Sequence, residues 1–190
     1  MSEAEVRPGG EKWLVVIDMQ VIFGDPASGW FTPGYPQIED GVVKLVRAFG
    51  DHVVFTRFIS PASPQGAWIP YYRQWPFALV GADDPKYALM PAFADAAAPV
   101  VSRTTFGKWD CELAGILGPD ATMLLAGVST DCCVISTALA AADAGVRVRV
   151  VQDACAGMSP ADHQRALDAM SLYAPLIELT TLNEVLGEES

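Results

Sequence analysis

Six short apolar runs recur along the chain, and between them the apolar residues switch to helical spacing. The runs are WLVVID (13–18), HVVFTRF (52–58), PVVSR (99–103), TMLLAGV (122–128), VRVRVVQDA (146–154) and PLIELTT (175–181). Runs this short and this apolar suit strands buried on both faces. IEDGVVKLVRAFG (38–50), DCELAGIL (110–117), CCVISTALAAADAG (132–145) and SPADHQRALDAM (159–170) read as helices. Gly50 and Gly145 stand where helices close, and Ser159–Pro160 stands where one opens. A short terminal helix is expected after the sixth run. Strand–helix alternation needs crossover connections. It therefore predicts a three-layer α/β/α, Rossmann-like domain around a mostly parallel six-stranded sheet.

Composition narrows the class. The 190 residues fit one domain (11–190) after a polar tail (1–10), with enough chain to bury roughly 70% of the unfolded surface. The net charge of −11 disfavours nucleic acid and anionic membranes as partners, and permits a cationic small substrate without implying one. The opening MSEAEVRPGGEK has no apolar segment of a signal peptide, and no apolar run reaches the ~20 residues of a membrane span. A cytoplasmic location is the expectation, with thiols mostly reduced. Four cysteines and two histidines show no metal-ligand spacing, so no metal is expected. No GxGxxG follows the first run, which disfavours a dinucleotide cofactor.

In parallel α/β sheets, sites gather at the carboxyl ends of strands. The residues there are Asp18, Arg57, Arg103, the Ser129–Cys133 turn and Asp153. Thr130 is a plausible N-cap for the following helix, which puts Cys133 in the first turn. The positive end of a helix lowers a thiol pKa, so Cys133 is a candidate nucleophile, with simple core filling as the alternative for both thiols. Asp18 can serve as a base or merely cap loop amides. Arg103 can hold Asp18 ionised or steady a carbonyl, and Lys108 offers a second cation. Residues 59–98 are the least regular region. Their aromatics, Trp68, Tyr71, Tyr72, Trp75 and Phe77, are expected to cover a pocket or a subunit contact.

VVIDMQ (15–20) and GVSTDCCVISTALAAADAGVRVRVVQDACA (127–156), with the histidine of SPADHQRAL, carry a resemblance to the isochorismatase-like cysteine hydrolase superfamily. It spans nearly the whole chain. The resemblance implies a triad of Asp, Lys and Cys, with Asp18 as the acid and Cys133, directly before Val134, as the nucleophile. Cys132 becomes a core or helix-side neighbour, since adjacent helical residues point about 100° apart. The resemblance further implies a cis Val128–Ser129 peptide and an oxyanion hole from the Ser129 and Cys133 amides.

The pattern departs from the family at the lysine, where SRTTFGKWD places Arg103. Arg103 keeps the strand-end position and is favoured over Lys108 as the triad cation. Gln20, Phe23, Trp30, Phe31, Lys108 and Trp109 are further candidates for substrate contact. FTRFISPASP lacks the Asp-x-His of metal-dependent nicotinamidases. The expected activity is a metal-independent hydrolysis of an amide or carbamoyl C–N bond. The alternatives are vinyl ether hydrolysis of the isochorismatase type, or a thiol-bearing binding or redox protein without turnover. The resemblance also implies a homo-oligomer, dimer or tetramer.

Overall fold

The computed structural model describes residues 10–189; the expected tail 1–10 lies, apart from Gly10, outside the described residues. Six strands form one sheet: β1 (Lys12–Ile17), β2 (Val53–Phe58), β3 (Val100–Arg103), β4 (Thr122–Val128), β5 (Arg147–Ala156) and β6 (Ile177–Thr180). Their order is β3-β2-β1-β4-β5-β6, and every neighbouring pair runs parallel. The chain order reverses between β1 and β4, the kind of switch point at which open α/β sheets form a crevice.

Alternation within each strand divides the core into two layers. On β1, Leu14 and Val16 face one side, with α2 (Tyr35–Phe49) and α7 (Leu182–Glu188). Val15 and Ile17 face the other, with α4 (Cys111–Leu117), α5 (Ile135–Asp143) and α6 (Pro160–Ser171). Strand β4 repeats the division, with Leu124, Ala126 and Val128 against Met123 and Leu125. All eight of these β1 and β4 side chains larger than alanine are fully buried, each contributing about 1.5–3 kcal/mol.

The helices begin where local chemistry permits. Helix α2 starts at Tyr35, ahead of the expected Ile38, because Pro36 is tolerated in a first turn, and it closes at Gly50. The Ser159 hydroxyl accepts from the Asp162 N–H and opens α6. The irregular stretch 59–98 holds α3 (Trp68–Gln74) and three 3₁₀ turns, each opened by a proline. A further short helix, α1 (Val21–Gly24), lies in the Gly/Pro-rich loop after β1.

Two features bring the strand ends together. Gly127 has φ +115°, and a side chain there would collide with the Ile17 carbonyl, so only glycine lets β4 close on β1. The β4–β5 register shifts between Leu125 and Gly127. This irregularity carries β5 on to Ala156, beyond its expected end, beside the turn that bears the thiols. Among the described residues no helix is long and apolar enough to cross a membrane.

Candidate active site

Asp18 follows β1 directly and takes a left-handed conformation, φ +48°. Aspartate tolerates that region better than most residues, and such backbone outliers concentrate at functional sites. Its side chain is wholly buried. The Thr56 hydroxyl, on neighbouring β2, donates to Asp18 Oδ1 at 2.7 Å and accepts the Asp18 N–H at 3.2 Å. Asp18 Oδ2 has no hydroxyl or amide partner; Lys108 Nζ stands 3.0 Å away.

Lys108 is also wholly buried. Its ammonium donates to the Thr105 carbonyl at 2.8 Å and lies 5.1 Å from the centre of the Phe58 ring. Its backbone N–H donates to the Thr137 hydroxyl at 3.0 Å, and that hydroxyl donates to the Cys133 carbonyl at 2.7 Å. One threonine on α5 thus ties the lysine loop to the cysteine turn.

Arg103 does not face Asp18, which corrects the expectation that it supplies the cation there. Its guanidinium turns to Asp110 and to Glu112, at 2.7 Å from the latter, and to the Ser102 carbonyl. The hydrogen bond with Asp110 raises the Arg103 pKa and lowers that of Asp110. Asp110 is the N-cap of α4, accepting from the Glu112 and Leu113 N–H groups. The two acids at that helix start capture the arginine, and the next cation along the chain, Lys108, pairs with Asp18 instead.

The thiols sit in a π-turn, Thr130–Val134, ahead of α5. The Ser129 carbonyl accepts the N–H groups of Cys132 and Val134, both at 3.1 Å. Thr130 is not the N-cap; its hydroxyl instead bonds His163 Nδ1 at 2.8 Å, joining the turn to α6. The Val128–Ser129 peptide is cis. The Ser129 hydroxyl donates to Asp131 Oδ1 at 2.6 Å.

Cys133 is 3% exposed, and burial is the largest influence on its thiol, holding the pKa well above the ordinary value. The Lys108 charge lowers it, while the Asp18 carboxylate raises it. The expected lowering is therefore corrected: loss of solvent outweighs the favourable charge of Lys108. Cys132 is half-buried, and burial pushes its thiol up to about 11. Both thiols line the same pocket, contrary to the expectation that Cys132 would point elsewhere. A turn wider than an α-helix separates neighbours by a smaller angle and lets both reach one cavity.

That cavity, about 220 Å³, has Ser129, Cys132 and Cys133 on one side and aromatic walls on the other. Phe23 and Trp30 line it as expected candidates, and Tyr71 and Trp75 bring the aromatic stretch 68–77 to it as a wall. Trp30 is the hub, in ring contact with Phe23, Phe58, Tyr71, Trp75 and Phe77. Gln20 does not line the cavity. Its amide donates to the Phe58 and Tyr87 carbonyls and accepts the Phe58 N–H, tying the loop after β1 to β2. Trp109 packs on the opposite face of the sheet, and Phe31 packs beside the core without lining the cavity. Arg57 bonds Ser102, and Asp153 accepts the Leu182 N–H, so both serve the scaffold. Sequence reasoning missed Phe58, Phe106 and Met158 as lining residues and Thr56 and Thr137 as supports. A threonine inside an apolar run was the available signal for the last two.

No curated protein matches the sequence. Among solved structures, the cysteine hydrolase from Pseudomonas syringae pv. phaseolicola 1448A superposes with a TM-score of 0.83 at 22% identity, over 100% of this chain and 98% of that one. The pyrazinamidase of Pyrococcus horikoshii, in complex with zinc, gives 0.75 at 26% identity, over 90% and 99%. The N-carbamoylsarcosine amidase from Thermoplasma acidophilum gives 0.71 at 20% identity, over 92% and 98%. Among the described residues no three His, Cys, Asp or Glu side chains are placed to hold a metal, and His163 is engaged with Thr130. The isochorismatase domain model matches residues 12–184, and the chain belongs to that family.

Proposed function

We propose that the protein is a cysteine hydrolase that cleaves the C–N bond of an amide or carbamoyl group through a thioester intermediate. The observation that carries this reading is the buried Asp18–Lys108 pair, 3.0 Å apart, acting on the Cys133 thiol at an apolar cavity. The resting thiol is neutral, so a base must take its proton as it attacks. Asp18 is that base. The Cys133 sulfur bonds to the carbonyl carbon, and the oxyanion is held by the Ser129 and Cys133 N–H groups. The nitrogen leaves with the proton returned by Asp18. Asp18 then takes a proton from water, which attacks the thioester and frees the acid and the thiol. Lys108 holds Asp18 in place and offsets the negative charge that forms on sulfur.

The same observation favours this reading over vinyl ether hydrolysis, because a buried thiol with its own base suits acyl transfer. The test is acid-quenched mass spectrometry of protein mixed with a panel of amides, with ammonia assayed in parallel. The expected result is a Cys133 acyl adduct and stoichiometric ammonia, both abolished by Cys133→Ala. Turnover of an enol ether without nitrogen release, or turnover surviving Cys133→Ala, would sink the proposal.

A further inference from the structure

The cavity wall is more selective than the reaction requires. Its lining comprises Phe23, Trp30, Phe58, Tyr71, Trp75 and Phe106 among others, and no charged side chain. The charges nearest the reacting sulfur, Asp18 and Lys108, are spent on each other. Asp131, on the same turn as the thiols, has Oδ1 taken by the Ser129 hydroxyl and the Met158 N–H. The net charge of −11 therefore lies outside the cavity and gives a charged substrate nothing inside it.

Two substrate classes suit aromatic walls: hydrocarbons, and cations held over ring faces. The structure favours the first. The Phe58 ring already has the Lys108 ammonium 5.1 Å from its centre, and no carboxylate lines the cavity to complete a cation cage. An ion entering would lose hydration without a partner. Size sets a second limit. A cavity of about 150 Å³ accommodates benzene, so about 220 Å³ holds one ring, or a branched group of that bulk, plus a carboxamide.

We infer that the substrate is an uncharged carboxamide or carbamoyl compound whose remaining part is a hydrocarbon of about one ring in size. The inference rests on the hydrolase reading for turnover, but the binding preference follows from the walls alone.

The experiment separates the two. Benzamide, 3,3-dimethylbutanamide, its cationic isostere trimethylammonioacetamide, and the anion succinamate are titrated calorimetrically into Cys133→Ala. Each is then assayed for ammonia release by the native protein. The expected result is that the two neutral amides bind at least about thirtyfold more tightly than either ion, the consequence of uncompensated desolvation, and are the ones hydrolysed. Neutral amides that bind with this preference and are not hydrolysed support the inference and count against the hydrolase reading. Equal or tighter binding of either ion overturns it, and so does failure of all four to bind at millimolar concentration. Hydrolysis of the ions in preference to the neutral amides overturns the inference and leaves the hydrolase reading standing.

Discussion

Lys108 Nζ lies 3.0 Å from Asp18 Oδ2, and solvent reaches neither side chain. Removing one partner of such a pair leaves an uncompensated buried charge, at a cost of about 3–5 kcal/mol. Lys108→Met should lower the denaturant midpoint and cut kcat by at least about a hundredfold, the low end of what a positioned acid–base system contributes. Arg103→Gln breaks only part-exposed bonds at the start of α4, and should change stability by less than about 1 kcal/mol and leave kcat/KM within about twofold. Parallel kinetics and urea unfolding of the two variants check this. Equal losses would show that the strand-end arginine is the cation that matters.

The thiols should label in an order set by burial. Cys111 is exposed and should react first with iodoacetamide at pH 7–8. Cys132 is half-buried with its pKa near 11, so its rate should climb steadily with pH through 10. Cys133 and Cys155 are buried, the first with its thiol held well above the ordinary value and the second pushed up to about 12, and both should be slow throughout. The sign follows from the thiolate being the reactive form: a raised pKa moves reactivity to higher pH. Site-resolved mass spectrometry across pH 6–11 reads all four. A Cys133 that labels fastest near neutrality would mean that the helix end and Lys108 outweigh burial.

Gly127→Ala tests the closure of β4 on β1. Its φ of +115° is nearly closed to residues with a side chain, and the new Cβ would meet the Ile17 carbonyl. A loss of about 3 kcal/mol or more is expected, seen as a lower urea midpoint or as insoluble expression. Gly50→Ala shares the positive φ, +54°, but its Cβ meets nothing within 4 Å; it should cost less by the missing clash, and a comparable loss there would show that backbone conformation alone is at work.

The layers of this fold were legible because a continuous apolar run such as WLVVID leaves both faces of its strand to be covered, and the intervening helical runs supply the cover. Leu14 and Val16 go one way, Val15 and Ile17 the other. Asp18 was legible for the same reason, as a charge that no buried strand end keeps without a partner. The choice between Arg103 and Lys108 was not. Position in sequence places a Cα, whereas the direction of a long side chain follows from its partners, here the acids Asp110 and Glu112. The sharing of one cavity by Cys132 and Cys133 was hidden because the sequence reads as an α-helix throughout, and the π-turn is made by the Val134 and Ile135 N–H groups reaching back five residues, to the Ser129 and Thr130 carbonyls.

Thr137 should behave as a positioning residue. Its hydroxyl accepts the Lys108 N–H and donates to the Cys133 carbonyl, so it sets the distance between the two loops that carry the site. Thr137→Val keeps the shape and strands both backbone groups, at about 1–3 kcal/mol for each buried group left unpaired. Stability should fall accordingly. Beyond that, kcat should fall with little change in KM, because the thiol and the Asp18–Lys108 pair lose their register while the aromatic walls remain. Thr137→Ser restores the hydroxyl and should recover kcat, although it removes a methyl group from a buried site. If Val and Ser variants lose stability in proportion to kcat, or if KM rises instead, the threonine serves packing alone and the register of the site is set elsewhere.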